Sequence, residues 1–102
     1  METVTILIGN SDNKLTQVEW SEFYAHVDDA VGTHAQSVQF SAPSNGAAPW
    51  QNACWVAILS GRESSQRLSE RLAVLASNYR QDSIAVVTGV SRFVEASARG
   101  GK

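Results

Sequence analysis

The sequence predicts an α+β domain of the ferredoxin-like βαββαβ type, a four-stranded antiparallel sheet with two helices on one face. The first observation is the spacing of apolar residues along the chain. Between residues 3 and 88 this spacing changes in the order strand, helix, strand, strand, helix, strand. The second is size, since 102 residues can enclose one modest core. Two right-handed strand–helix–strand units interleave into one sheet, so we expect the strand order fourth, first, third, second.

The first half of the chain shows a strand, a helix and a second strand. Residues 3–8 alternate in polarity, as a strand with one buried face does. Thr16 and Glu19 have the spacing of a capping box, which predicts that a helix begins there and stops near Gly32. Apolar side chains then recur at helical spacing at Trp20, Phe23, Tyr24, Val27 and Val31. Residues 37–41 predict an edge strand whose Val38 and Phe40 face the helices.

The second half repeats this order after a loop at residues 42–52. Residues 53–59 are almost continuously apolar, which is typical of a central strand. We expect Cys54, Val56 and Ile58 to face the helices and Trp55, Ala57 and Leu59 to face away. The second helical stripe consists of Leu68, Leu72, Leu75, Ala76 and Tyr79. Residues 83–88 predict the fourth strand, and residues 90–95 a short fifth strand or an arm that pairs within or between subunits.

Residues 1–96 are expected to form a single domain, and residues 97–102, which are small and polar, a flexible tail. No apolar run approaches the roughly 20 residues that cross a bilayer, so no membrane contact is expected. An acid follows Met1, where a signal peptide needs a basic region, and the chain has one cysteine. We therefore expect a cytoplasmic protein, comparable to small bacterial or phage accessory proteins.

The sheet face without helices is the main anomaly of the predicted fold. Leu7 and Trp55 would lie at its centre, with Ala57 and Val87 beside them. An exposed indole in an apolar patch usually marks a contact surface. Three structures could cover this sheet face: the arm at residues 90–94, the same face of a second subunit, or a ligand. A back-to-back homodimer is the cover that we expect.

No group of residues indicates catalysis, a metal or a cofactor. Cys54 is expected in the core as a small apolar side chain, and His26 and His34 lack the spacing of metal ligands. The turn after the first strand contains only Gly9, so it does not match a phosphate-binding loop. Catalytic, metal and cofactor sites are therefore expected to be absent.

Charge gives little reason to expect a nucleic-acid partner. Residues 1–51 hold six acids and one base, and residues 52–102 hold four acids and seven bases, without a basic run that contains aromatics. The third strand also lacks the paired aromatic and basic residues with which RNA-recognition sheets stack bases. The two-signed charge distribution is compatible with helices that face each other, or with a charged protein partner.

Two hypotheses about function follow. The first is a small non-enzymatic intracellular protein-interaction module that is homodimeric. The alternative is a small-molecule-binding or isomerase-like dimeric protein with a pocket near Trp50 and Trp55, where Gln51 is a polar group. The candidate binding residues for the two hypotheses together are Leu7, Trp50, Gln51, Trp55 and Val87.

Overall fold

A computed structural model describes residues 2–10, 13–43 and 51–97 of the chain. It contains four strands and two helices in the predicted order. The elements are β1 (Glu2–Gly9), α1 (Gln17–His34), β2 (Ser37–Pro43), β3 (Asn52–Leu59), α2 (Arg62–Asn78) and β4 (Ala85–Val90). The ferredoxin-like α+β fold expected from the sequence is confirmed.

The strands form one sheet in the order β2-β3-β1-β4, with every neighbouring pair antiparallel. This is the predicted order. At the centre of the sheet Ile6 of β1 lies opposite Trp55 of β3 on one side and Val86 of β4 on the other. The two central strands are therefore β1 and β3, and the two edges are β2 and β4.

The first helix begins at the predicted capping box. The Thr16 hydroxyl accepts a hydrogen bond from the Glu19 backbone N–H (3.1 Å), and a Glu19 carboxylate oxygen accepts one from the Thr16 N–H (3.0 Å). These two bonds satisfy backbone donors that have no partner inside the helix. The helix continues past Gly32, the predicted stop, because Ala35 N–H still donates to the Val31 carbonyl (2.9 Å).

The core lies between the helices and one face of the sheet. Both predicted helical stripes are confirmed, with Tyr24 and Tyr79 partly buried at their margins. The fully buried side chains of the helices are Phe23, Val27, Ala30 and Val31 on α1, and Leu68, Leu72, Leu75 and Ala76 on α2 are nearly so. Val4, Ile6 and Ile8 of β1 meet these stripes, as the alternation in the first strand predicts.

The predicted faces of β3 are wrong. Trp55, Ala57 and Leu59 point into the helix-covered core with at most 1% exposure, and Val56 and Ile58 lie on the other face. Both faces of this strand are apolar, so its alternation does not tell which one is buried. The volume of the indole decides the outcome, since burying Trp removes more apolar surface from water than burying Cys or Val.

The predicted placement of Phe40 in the core is also wrong. Val38 pairs with Ala57 on the helix side, but a register shift follows, and Phe40 pairs with Val56 on the opposite side. The shift is a β-bulge, in which one extra residue turns the following side chains to the other face. Phe40 is therefore 56% exposed on the face that lacks helices.

The fourth strand begins two residues later than predicted and includes Gly89 and Val90. Residues 91–97 form no regular strand, so the expected fifth strand is not present in this single copy. The Ser91 hydroxyl contacts the Thr3 hydroxyl. The remainder of the expected tail, residues 98–102, lies outside the described residues. Neither described helix has the length and apolar character needed to cross a bilayer.

Candidate functional site

The sheet surface that points away from both helices is the candidate functional site, and we call it the open face. It is formed by alternate residues of all four strands. Its members are Thr3, Thr5 and Leu7 of β1, Phe40 and Ala42 of β2, Cys54, Val56 and Ile58 of β3, and Ala85 and Val87 of β4. Leu7 and Val87, which the sequence placed on this face, are on it.

The open face combines apolar exposure with an absence of charge. Phe40 and Val87 are 56% and 59% exposed, and Leu7 is 42% exposed. Among the described strand residues, Glu2 is the only one with a charged side chain, and it lies on the helix side with Val4 and Ile6. A monomer rarely exposes a contiguous apolar patch that spans a whole sheet, and such patches usually mark contacts.

A shallow hollow of about 300 Å³ lies at the end of the open face where β1, β2 and β3 meet. It is lined by Leu7, Phe40, Ala42, Pro43, Asn52, Ala53 and Cys54. The predicted burial of Cys54 in the core is wrong, because the reversal of β3 places its side chain on this face, where it is half-buried. The hollow is almost entirely apolar and offers Cys54 as its one reactive group.

Trp55 contributes nothing to the open face, so its predicted place at the centre of that face is wrong. Its indole N–H donates to the Asp28 carboxylate of α1 (2.8 Å), and its ring stacks against Tyr24 at a centroid distance of 5.1 Å. Asp28 is itself exposed, and its carboxylate covers the N–H of an indole that is fully buried. A Trp that is buried normally finds such a partner for its N–H.

Gln51 is held in a polar network beside the start of α1. Its side-chain oxygen accepts from Asn10 (3.1 Å) and Gln17 (3.1 Å), and its amide nitrogen donates to Gln17 (2.8 Å). Asn10 is 4% exposed and also bonds to both backbone groups of Leu15. These bonds give Gln51 a structural role, namely joining β3 to the β1–α1 connection. Trp50, its predicted neighbour in a pocket, lies outside the described residues.

Among the described residues, no group of three or more His, Cys, Asp or Glu side chains could hold a metal ion. Burial and the nearby Glu22 and Glu19 carboxylates raise the pKa of Tyr79, which stacks on Phe23 at 5.0 Å. A phenol with a raised pKa is a poorer proton donor and stays protonated near neutral pH. Tyr79 is partly buried and packs against the core.

A second concave surface, which the sequence analysis missed, lies between α2 and β4, and we call it the α2–β4 groove. It encloses about 600 Å³. Its lining residues are Ser69, Leu72, Ala73, Ala76, Ser77, Gln81, Asp82, Ser83, Ile84 and Val86. The helix-side residues of β4 are incompletely covered, since Val86 is 41% exposed and Val90 is 83% exposed. The β-branched run in β4 is the sequence signal that belongs to this surface.

Comparisons with known proteins agree with the fold. No protein-family model matches the chain, and no curated protein is similar to it in sequence. A solved structure from Thermobifida fusca YX, described as a dimeric ferredoxin-like protein of unknown function, superimposes with a TM-score of 0.61. The match covers 89% of this chain and 92% of that chain at 11% sequence identity. At this identity the similarity establishes the ferredoxin-like fold.

Proposed function

We propose that this protein is a small non-enzymatic interaction module that forms a homodimer through its open face. The observation that carries the proposal is the combination of exposed Leu7, Phe40 and Val87 with the absence of a charged side chain among the described strand residues of that face. Apolar surface of this kind gains free energy when it is removed from water, at roughly 25 cal/mol per Å². Association that covers the open face is therefore favoured over leaving it exposed to water.

The absence of charge favours a second copy as the cover. In a two-fold symmetric contact each residue meets the same surface of its partner, so a charge near the symmetry axis faces a like charge. An uncharged face avoids this repulsion and is complementary to itself. The Thermobifida fusca protein of the same fold is described as dimeric, which supports the proposal by analogy.

The test introduces a charge on the open face and the same charge at a matched position elsewhere. Phe40→Glu should halve the mass of the wild-type assembly in light scattering, because an unpaired carboxylate would be buried in the apolar contact. Val74→Glu is the control, since Val74 is on α2 and has nearly the same exposure, 59% against 56%. The homodimer is rejected if Phe40→Glu and Val74→Glu both keep the wild-type mass.

The alternative is a small-molecule binder, and the hollow beside Cys54 is the observation that favours it. A pocket between Trp50 and Trp55 loses support, because Trp55 is fully buried. The hollow of about 300 Å³ is at the lower end of ligand-pocket sizes and would be closed by a second subunit. A titration with an apolar fluorescent probe tests this function: Ala42→Trp should abolish probe binding if the hollow is the site. Equal probe binding by the wild type and by Ala42→Trp would exclude the hollow as the binding site.

A further inference from the structure

The two edges of the sheet differ in their protection against another strand. The β2 edge has a bulge between Val38 and Phe40 and ends with Pro43, and both features hinder pairing. The β4 edge has neither: its sequence AVVTGV is regular, uncharged and free of proline. Since an unprotected edge presents unpaired backbone N–H and C=O groups, β4 can accept a strand and β2 is hindered from doing so.

The segment that follows β4 carries apolar side chains without cover in the single copy. Val90, Phe93 and Val94 are 83%, 81% and 84% exposed. We call residues 90–97 the arm. Large apolar side chains that are this exposed in three of five successive positions differ from scattered surface hydrophobics, which need no explanation.

The apolar side chains of the arm, Phe93 and Val94, do not reach the α2–β4 groove of their own chain. The groove is lined by Ile84 and Val86, at the start of β4, whereas the arm leaves from Val90 at its end. Val86 and Val90 are about 13 Å apart at 3.3 Å per residue of strand. A tight reversal consumes about two residues, so Phe93 would return only to the level of Val90.

We propose that β4 pairs with β4 of a second copy in antiparallel orientation, so that each arm lies along the α2–β4 groove of the other chain. With residues 85–89 paired about Val87, Val90 lies opposite the partner's Ile84, and the arm continues past the partner's Ser83 and Asp82. Val90 is on the helix side of the sheet, because it pairs with Glu2. Val90 thereby covers the partner's Ile84 and Val86, and Val94 lies at the Gln81 end of the groove.

The charge at the rim of the groove is complementary to that of the arm proposed to occupy it. Asp82 is at the rim, 99% exposed, and its one ion pair in the single copy is a long contact of 4.0 Å with Lys14. In the proposed pairing Arg92 of the arm passes beside the partner's Asp82. The contact adds an opposite charge to an exposed carboxylate and occurs twice by symmetry.

This β4 contact uses a different surface from the open face. A chain that uses both contacts closes into an assembly of four copies when the two symmetry axes cross at right angles, with a mass four times the 11.0 kDa of one chain. Loss of the β4 contact alone leaves the dimer that the open face forms. The two proposals therefore fail separately.

Disulfide cross-linking between two single-cysteine variants tests the pairing. In a Cys54→Ser background, Ser91→Cys and Ser83→Cys place thiols directly opposite each other between copies, within the distance that a disulfide spans. Within one chain these positions lie at opposite ends of β4, about 26 Å apart at 3.3 Å per residue, and cannot be linked. We expect a covalent dimer when the two variants are mixed and oxidised, and none from either variant alone.

The control mixture replaces Ser83→Cys with Val74→Cys, an exposed position on α2 that faces away from the core. If the test mixture links no faster than the control mixture, the proposed pairing is overturned. A mass measurement gives an independent readout: Val94→Glu should halve the mass of the wild-type assembly, and Val18→Glu, at an exposed position of α1, should not. Equal masses for wild type and Val94→Glu would likewise contradict the β4 contact.

Discussion

At the scale of single residues, Trp55 shows what a sequence pattern cannot determine. The strand ACWVAIL alternates two apolar sets, so either set can face the helices. The volume of the indole favours its burial, and Asp28 of α1, 27 positions away in sequence, accepts its N–H in that orientation. Ala53 and Ala57 flank Trp55 on the same face of β3 and are buried with it. Leu7 and Val87 could be assigned to the open face because the polar Thr residues of β1 and the pairing order define it.

The Asp28 bond predicts a specific loss of stability. Asp28→Ala removes the acceptor and leaves a buried indole N–H unpaired, so the free energy of unfolding should fall by about 1–3 kcal/mol. Urea unfolding at an unchanged m value measures it. Asp29→Ala is the control: its carboxylate pairs with Arg71 at the surface (2.6 Å), where removal should cost about 0–1 kcal/mol. Equal losses in the two variants would show that the indole bond is not specific.

At the scale of elements, the start of α1 could be predicted from four residues and the bulge in β2 could not. The capping box depends only on Thr16 and Glu19, which are neighbours in sequence, and local hydrogen bonds satisfy it. The bulge depends on how β2 matches Val56 and Ala57 of β3, a pairing across a long loop. Local signals were therefore reliable, and the faces of β2 and β3 required the tertiary arrangement.

Glu19 predicts how the start of α1 responds to acid. Its hydrogen bond from the Thr16 backbone, then its contact with Arg80 at 2.8 Å, lower the pKa of the carboxyl. The stabilisation is fully present above the ordinary glutamate pKa near 4.3 and is lost as the pH falls through the lower native value. Glu19→Gln should therefore flatten the decline of unfolding free energy between about pH 5 and 3. Thermal unfolding at several pH values measures this, and an unchanged slope would contradict it.

At the scale of the whole molecule, the fold was predictable and the contact surfaces were only partly so. The order of periods determines the sheet topology, because right-handed crossovers leave few alternatives. An uncovered apolar face follows from that topology, with Leu7 and Val87 on it. Its composition did not follow, since Phe40 and Cys54 reached it through the bulge and the reversal of β3. The α2–β4 groove depends on where α2 lies across the sheet, which no local pattern reports.

Cys54 predicts a concentration-dependent reactivity. It is the only cysteine and lies half-buried on the open face, so a thiol reagent reaches it in the single copy. Association through that face should slow its labelling severalfold as protein concentration rises. Phe40→Glu should label at one rate at all concentrations, because it does not associate there. Labelling that is independent of concentration in the wild type would argue against burial of this face.

The bulge and Pro43 of β2 also limit how far these chains can join. A sheet with two unprotected edge strands can add further copies at both edges without limit, which leads to fibres. Here the β2 edge is hindered by its own backbone shape, so strand pairing through the β4 edge stops at two sheets. The irregular strand thus blocks endless edge-to-edge growth of the sheet.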